Sequence, residues 1–133
     1  MLVAALTKEA KTASVQEWLR ERATTTLAVS DWVITEFSAA LSLKVRSRQI
    51  LAANRAEALA TFALWVDESF DLLAVSSLQF RTAARFADQY ALGLRASDAL
   101  HFAICADHGA TLCTLDRGLC KAGPALGVKT ILP

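Results

Sequence analysis

Residues 97–116 read Ser97-Asp98-Ala99-Leu100-His101-Phe102-Ala103-Ile104-Cys105-Ala106-Asp107-His108-Gly109-Ala110-Thr111-Leu112-Cys113-Thr114-Leu115-Asp116. From Asp98 to Ala106 the stretch is apolar on nearly every side, which predicts a helix that is buried all round. Ser97 reads as its N-cap and Gly109 as its stop, giving a helix over Asp98 to Asp107. Ala110 to Leu115 then reads as a strand, with Asp116 emerging at its carboxyl end.

Strands alternate with helices on the amino-terminal side as well. Lys11 to Arg22 reads as an amphipathic helix with Val15, Trp18 and Leu19 inward. Thr25 to Val29 is a β-branched run and a strand candidate, and Ser30 or Asp31 can cap the helix that follows. That helix carries Val33, Ile34, Phe37, Ala40 and Leu41 on one stripe and ends near Arg46. A second helix, from about Ser47 to Val66, shows Ile50, Leu51, Leu59, Phe62 and Trp65, and the two form a candidate hairpin. Phe70 to Val75 is a further strand, with Ser76 or Ser77 capping a helix through Phe80, Ala84, Phe86 and Ala87 to about Ala91, where Gly93 fits a stop. Arg117 to Ala122 reads as a short helix and Val128 to Leu132 as the last strand. The pattern predicts an α/β layer fold with a mainly parallel central sheet and helices on both faces. Sites in such sheets form beyond the carboxyl ends of strands.

A length of 133 residues suits a single domain, 1–133, with one core. No apolar run approaches the roughly 20 residues of a membrane span, and Met1 to Leu6 is too short and lacks a basic start for a signal peptide. A cytoplasmic address is the expectation. Cys105, Cys113 and Cys120 are odd in number and widely spaced, which suits neither a disulfide framework nor a structural zinc site. They read as core or surface thiols. The formal net charge of +1 gives little global attraction for nucleic acid, but two local runs are basic. Lys44, Arg46, Arg48 and Arg55 face only Glu57, and Arg117, Lys121 and Lys129 follow Asp116 with no acid after them. Either run also reads as an ordinary solvated face.

Three acids stand where a solvated carboxylate is out of place. Asp98 starts the buried helix, where the helix dipole favours an anion and where burial makes an unpaired charge costly. Glu36 lies one turn into the helix after Ser30, at the edge of its apolar stripe. Asp116 ends a strand, where it can cap the following short helix. His101 lies on the same face as Asp98, three residues on, and can orient it or touch substrate; it also reads as a satisfied core histidine. Thr114 points to the same side of the strand as Asp116 and can hydrogen-bond it or a metal-bound water. The five glycines do not cluster into a phosphate-cradling loop, and no serine–histidine–acid order is worth defending.

Three segments, Ile34-Thr35-Glu36-Phe37-Ser38-Ala39-Ala40-Leu41, Ser97-Asp98-Ala99-Leu100-His101 and Thr114-Leu115-Asp116-Arg117, resemble the PIN-domain ribonucleases, and most closely the VapC toxins. Tyr90-Ala91-Leu92-Gly93-Leu94-Arg95 and the closing Ala125-Leu126-Gly127-Val128-Lys129-Thr130-Ile131-Leu132-Pro133 extend the resemblance from Met1 to Pro133. It implies a PIN-like three-layer fold and a magnesium- or manganese-dependent endoribonuclease silenced by a VapB-like antitoxin, with a homodimer expected. Carried over by position, Glu36, Asp98 and Asp116 become the catalytic and metal-binding acids, with Thr114 and His101 behind them. Arg117, Lys121 and Arg95 become candidates for meeting RNA phosphates.

The resemblance also implies a first, central strand ending in an aspartate, and here the sequence opens at the helix that would follow it. Two expectations compete. In one, the natural protein is about seven to ten residues longer, the scale of one strand. In the other, the polypeptide begins at Met1 and is a catalytically impaired binding module that still grips an antitoxin or a second copy of itself. A third reading, a regulatory domain with Asp116 as phosphoacceptor, lacks a matching late-strand lysine.

Overall fold

A computed structural model describes residues 1–22 and 25–133. The chain forms two compact units, Met1–Ala74 and Val75–Pro133.

In the first unit, α1 (Leu2–Leu6) buries Ala4 and Ala5, and α2 (Thr12–Arg20) buries Val15 and Leu19, four residues apart on one face. Gln16 ties the two together by donating from Nε2 to the Ala5 carbonyl at 2.8 Å. The strand expected at Thr25 to Val29 forms later, as β1 (Ala28–Ser30). Ser30 then caps α3 (Asp31–Arg46), its Oγ accepting the Val33 N–H at 3.4 Å. α3 and α4 (Ala52–Ser69) form the expected hairpin around Phe37, Leu41, Ala58 and Phe62. The Phe37 and Phe62 rings stack with centroids 3.9 Å apart. β2 (Asp71–Leu73) pairs in parallel with β1, Val29 opposite Leu72.

The connection between α3 and α4 departs from expectation. Ser47 does not start the second helix. The chain instead turns through Arg48 at φ 58°, with Arg48 N–H donating to Val45 at 2.9 Å and Gln49 N–H to Lys44 at 2.8 Å. This is a Schellman closure, which satisfies two of the last carbonyls of α3 and forces a left-handed residue. The helix restarts only at Ala52, leaving Leu51 73 % exposed rather than in the core.

The second unit begins with Ser76 capping α5 (Ser77–Ala87). Ser76 Oγ accepts the Gln79 N–H, and Gln79 Oε1 accepts the Ser76 N–H at 2.8 Å, a reciprocal capping box. Gln79 is buried, and its Nε2 donates to Asp107 Oδ2 at 2.8 Å, which joins the start of α5 to the end of α6 (Ala96–His108). α5 stops four residues before Ala91. A 3-10 turn over Tyr90–Leu92 follows, and Gly93 at φ 63° closes it.

α6 is buried as expected, through Ala99, Leu100, Phe102, Ala103 and Ile104, and ends at Gly109 with φ 61°. Its N-cap is Arg95 rather than Ser97, which places Asp98 in the third helical position. The strand expected at Ala110 to Leu115 shrinks to β3 (Leu112–Cys113), and β4 (Thr130–Ile131) pairs with it in parallel. Hydrogen bonding runs past β3, since Thr114 N–H donates to Ile131 at 3.0 Å. Between them, α7 (Arg117–Ala122) occupies the expected residues. Its end lies so close to β4 that a Cβ on Gly123 would sit 2.4 Å from Thr130 Cγ2 and 2.6 Å from the Val128 carbonyl oxygen. Phe102, Ala122 and Val128 form the core of this part, with Phe86, Leu94 and Leu119 packed against it.

Candidate functional site

Asp116 is held by its neighbours on both sides. Its backbone N–H donates to Thr114 Oγ1 at 3.1 Å, and its Oδ1 accepts from the N–H groups of Gly118 at 2.7 Å and Leu119 at 3.0 Å. The carboxylate thereby caps α7 and satisfies two of the amides that a helix start leaves without partners. Gly118 permits this approach, because a Cβ there would stand 3.1 Å from Asp116 Oδ1. Sequence reasoning missed Gly118; its position two residues after a strand-end aspartate is the signal that could have found it. Thr114 is buried and bonds the backbone of Asp116, so it fixes where the carboxylate leaves the strand.

Asp98 is fixed in a comparable way. From the third helical position its Oδ2 reaches back to accept the Arg95 N–H at 3.0 Å. That bond satisfies the amide of the N-cap residue itself, the half of a capping box that the third helical position supplies. The capping bonds fall on Oδ2 of Asp98 and on Oδ1 of Asp116. His101 is half-buried one turn after Asp98.

Glu36 belongs to the first unit, half-buried within α3 next to the buried Phe37. Burial lowers the pKa of the Met1 amino group, and the carboxylates of Glu9 and then Glu36 push it back up. Glu36 therefore projects where the start of α1 feels its charge. Glu9 is itself held below the ordinary glutamate range, chiefly by its hydrogen bond with Lys44, whose Nζ lies 2.8 Å from Oε1.

The basic candidates are all exposed: Arg95 at the N-cap of α6, and Arg117 and Lys121 four residues apart on one side of α7. Among the described residues, no group of three or more His, Cys, Asp or Glu side chains forms a metal-holding cluster. Carboxylate oxygens are the donors that hard divalent cations take. Burial, with Cys113 nearby adding to it, pushes the Cys105 thiol up to about 11, so it stays protonated and is a poor metal ligand at neutral pH.

The family model described as PIN domain matches residues 1–123. A comparison with curated proteins returns no match. The short parallel strands and the helices that alternate with them agree with a PIN-like α/β fold.

Proposed function

The chain belongs to the PIN domain family, generally a nuclease fold and one often found in toxin–antitoxin systems; from that premise we propose a VapC-type endoribonuclease that requires Mg²⁺ or Mn²⁺ and is held silent by a VapB-like antitoxin. The observation that carries the reading is the tethering of Asp98 and Asp116, whose carboxylates accept one and two backbone N–H groups respectively. A metal ligand needs a fixed carboxylate, and groups that hold a ligand in place typically matter as much as the ligand.

Glu36, Asp98 and Asp116 are the acids proposed to hold the cation. When bound, it supplies Lewis acidity toward a phosphodiester and makes water a stronger nucleophile. The protein's part is positional and electrostatic. Thr114 sets the backbone of Asp116, Gly118 gives its carboxylate room, and Arg117, Lys121 and Arg95 meet the RNA phosphates. Exposed Leu43 and Leu64, on α3 and α4, support a surface covered by an antitoxin or by a second copy in a homodimer. No helix among the described residues is long and apolar enough to cross a membrane; a cytoplasmic site of action is part of the same proposal.

The test is cleavage of single-stranded RNA by the purified chain. Cleavage should need Mg²⁺ or Mn²⁺, stop with chelator, and fall on the order of 100-fold in Asp98→Asn and Asp116→Asn. Asparagine still presents an oxygen to the same amides, so these substitutions remove charge while leaving the caps. Undiminished cleavage in both variants would sink the proposal.

A further inference from the structure

Tyr90, the only tyrosine in the chain, is 91 % exposed, whereas Phe37, Phe62 and Phe102 are all buried. Its backbone is far from loose. The 3-10 turn that carries it is pinned by N–H donations from Tyr90 to Asp88 at 2.9 Å, Leu92 to Gln89 at 2.9 Å and Gly93 to Tyr90 at 3.1 Å. Both ends of the turn are anchored in one core: Phe86 before it and Leu94 after it pack against the cluster of Phe102, Ala122 and Val128. Gly93 supplies the left-handed residue that lets the chain fold back from the turn to Leu94. The result is an aromatic ring displayed on a rigid backbone, so little order remains to be imposed when something binds to it.

The surroundings select the occupant. Between residues 81 and 95 the chain carries Arg81, Arg85 and Arg95, all exposed, against the single acid Asp88. Arg95 directly precedes the helix on which Asp98 sits, and its amide holds the Asp98 carboxylate at 3.0 Å. An exposed ring interleaved with arginines is the pattern by which proteins bind single-stranded nucleic acid: bases stack on the ring and phosphates meet the cations. We infer that Tyr90 is the residue on which a base of the RNA strand stacks, registering the strand against the start of α6. This rests on the ribonuclease reading and adds to it a substrate-binding residue whose role is stacking rather than charge.

The experiment measures binding of two ligands to the full chain by fluorescence anisotropy in chelator: a single-stranded oligoribonucleotide, and an abasic oligomer with the same number of phosphates. Tyr90→Ala should weaken the intact oligomer about tenfold, within the range a base–aromatic stack contributes. Tyr90→Phe should retain the affinity, and the abasic oligomer should bind wild type and Tyr90→Ala equally. Equal binding of the intact oligomer by wild type and Tyr90→Ala would overturn the inference, as would an equal loss on both ligands. A Tyr90→Ala variant that changes only the self-association mass in sedimentation assigns the ring to a protein interface and also overturns it. RNA cleavage that persists while Tyr90→Ala binds normally removes the stacking role alone. If wild type binds no RNA, the ribonuclease reading has failed and this inference fails with it.

Discussion

In the second unit, helix starts and ends are built from residues suited to them: Asp116 caps α7 with two accepted amides, Asp98 serves the amide of Arg95, and Gly109 closes α6 at φ 61°. The first unit uses less obvious means. The connection after α3 closes through Arg48 at φ 58°, nearly the same backbone state as Gly109 but on a residue with a Cβ. Glu9 in this unit is held by a side-chain lysine rather than by amides. The difference teaches that a carboxylate held by backbone can keep its position through a loss of charge, whereas one held by an ion pair cannot.

The largest effect expected from breaking this contrast comes at Asp116. Asp116→Ala removes both charge and cap, so it should abolish RNA cleavage and also cost about 1 kcal/mol of stability in chemical denaturation. Asp116→Asn should lose cleavage to a similar degree at nearly unchanged stability. If the two variants unfold alike, the carboxylate's bonds to Gly118 and Leu119 contribute nothing measurable and the tethering argument weakens.

The two left-handed closures should respond with opposite signs. Gly109→Ala places a Cβ in a conformation that disfavours it and should destabilise by about 1 kcal/mol. Arg48→Gly relieves the same strain in the first unit, partly offset by the added freedom of the unfolded chain, for a gain of roughly 0.5 kcal/mol. Thermal unfolding of both variants reads this directly, and shifts of the same sign would contradict it.

The smallest effect is pH-dependent. Lys44 lowers the folded-state pKa of Glu9 below the ordinary value of 4.5, so the pair stabilises the fold above that value, and the contribution is lost as pH falls through the lowered pKa. The pair is partly exposed, so its contribution should stay under about 1 kcal/mol. Lys44→Met should flatten that part of the stability–pH curve while leaving the slope near neutral pH unchanged.

The parts of the fold legible in sequence were those with local chemical signals. Ser30 or Asp31, Ser76 or Ser77, Asp116 and Gly109 mark helix ends, the structure choosing Ser30 and Ser76 from the two pairs, and the all-round apolar run marks α6 as a buried helix. The misplaced boundaries came from competition between good signals. Ser97 and Asp98 are both favourable caps, and the longer reach of Asp98 to the Arg95 amide moved the helix start back to Ala96. At Arg48 no glycine announced the left-handed turn, so the helix was carried through it. The four strands among the described residues are two or three residues long, too short for alternation to set their limits. For the candidate site, the sequence singles out the acids and the threonine beside Asp116 as candidates, but not the amides that hold Asp98 and Asp116, because those partners follow from helix geometry rather than residue type.

Manganese binding tests the central claim most directly. Calorimetric titration of Mn²⁺ into the full chain should show binding for wild type and its loss in Asp98→Asn and Asp116→Asn, with all three proteins folded to the same extent. Binding of equal strength in all three would mean that these carboxylates do not hold the cation, and would contradict the account.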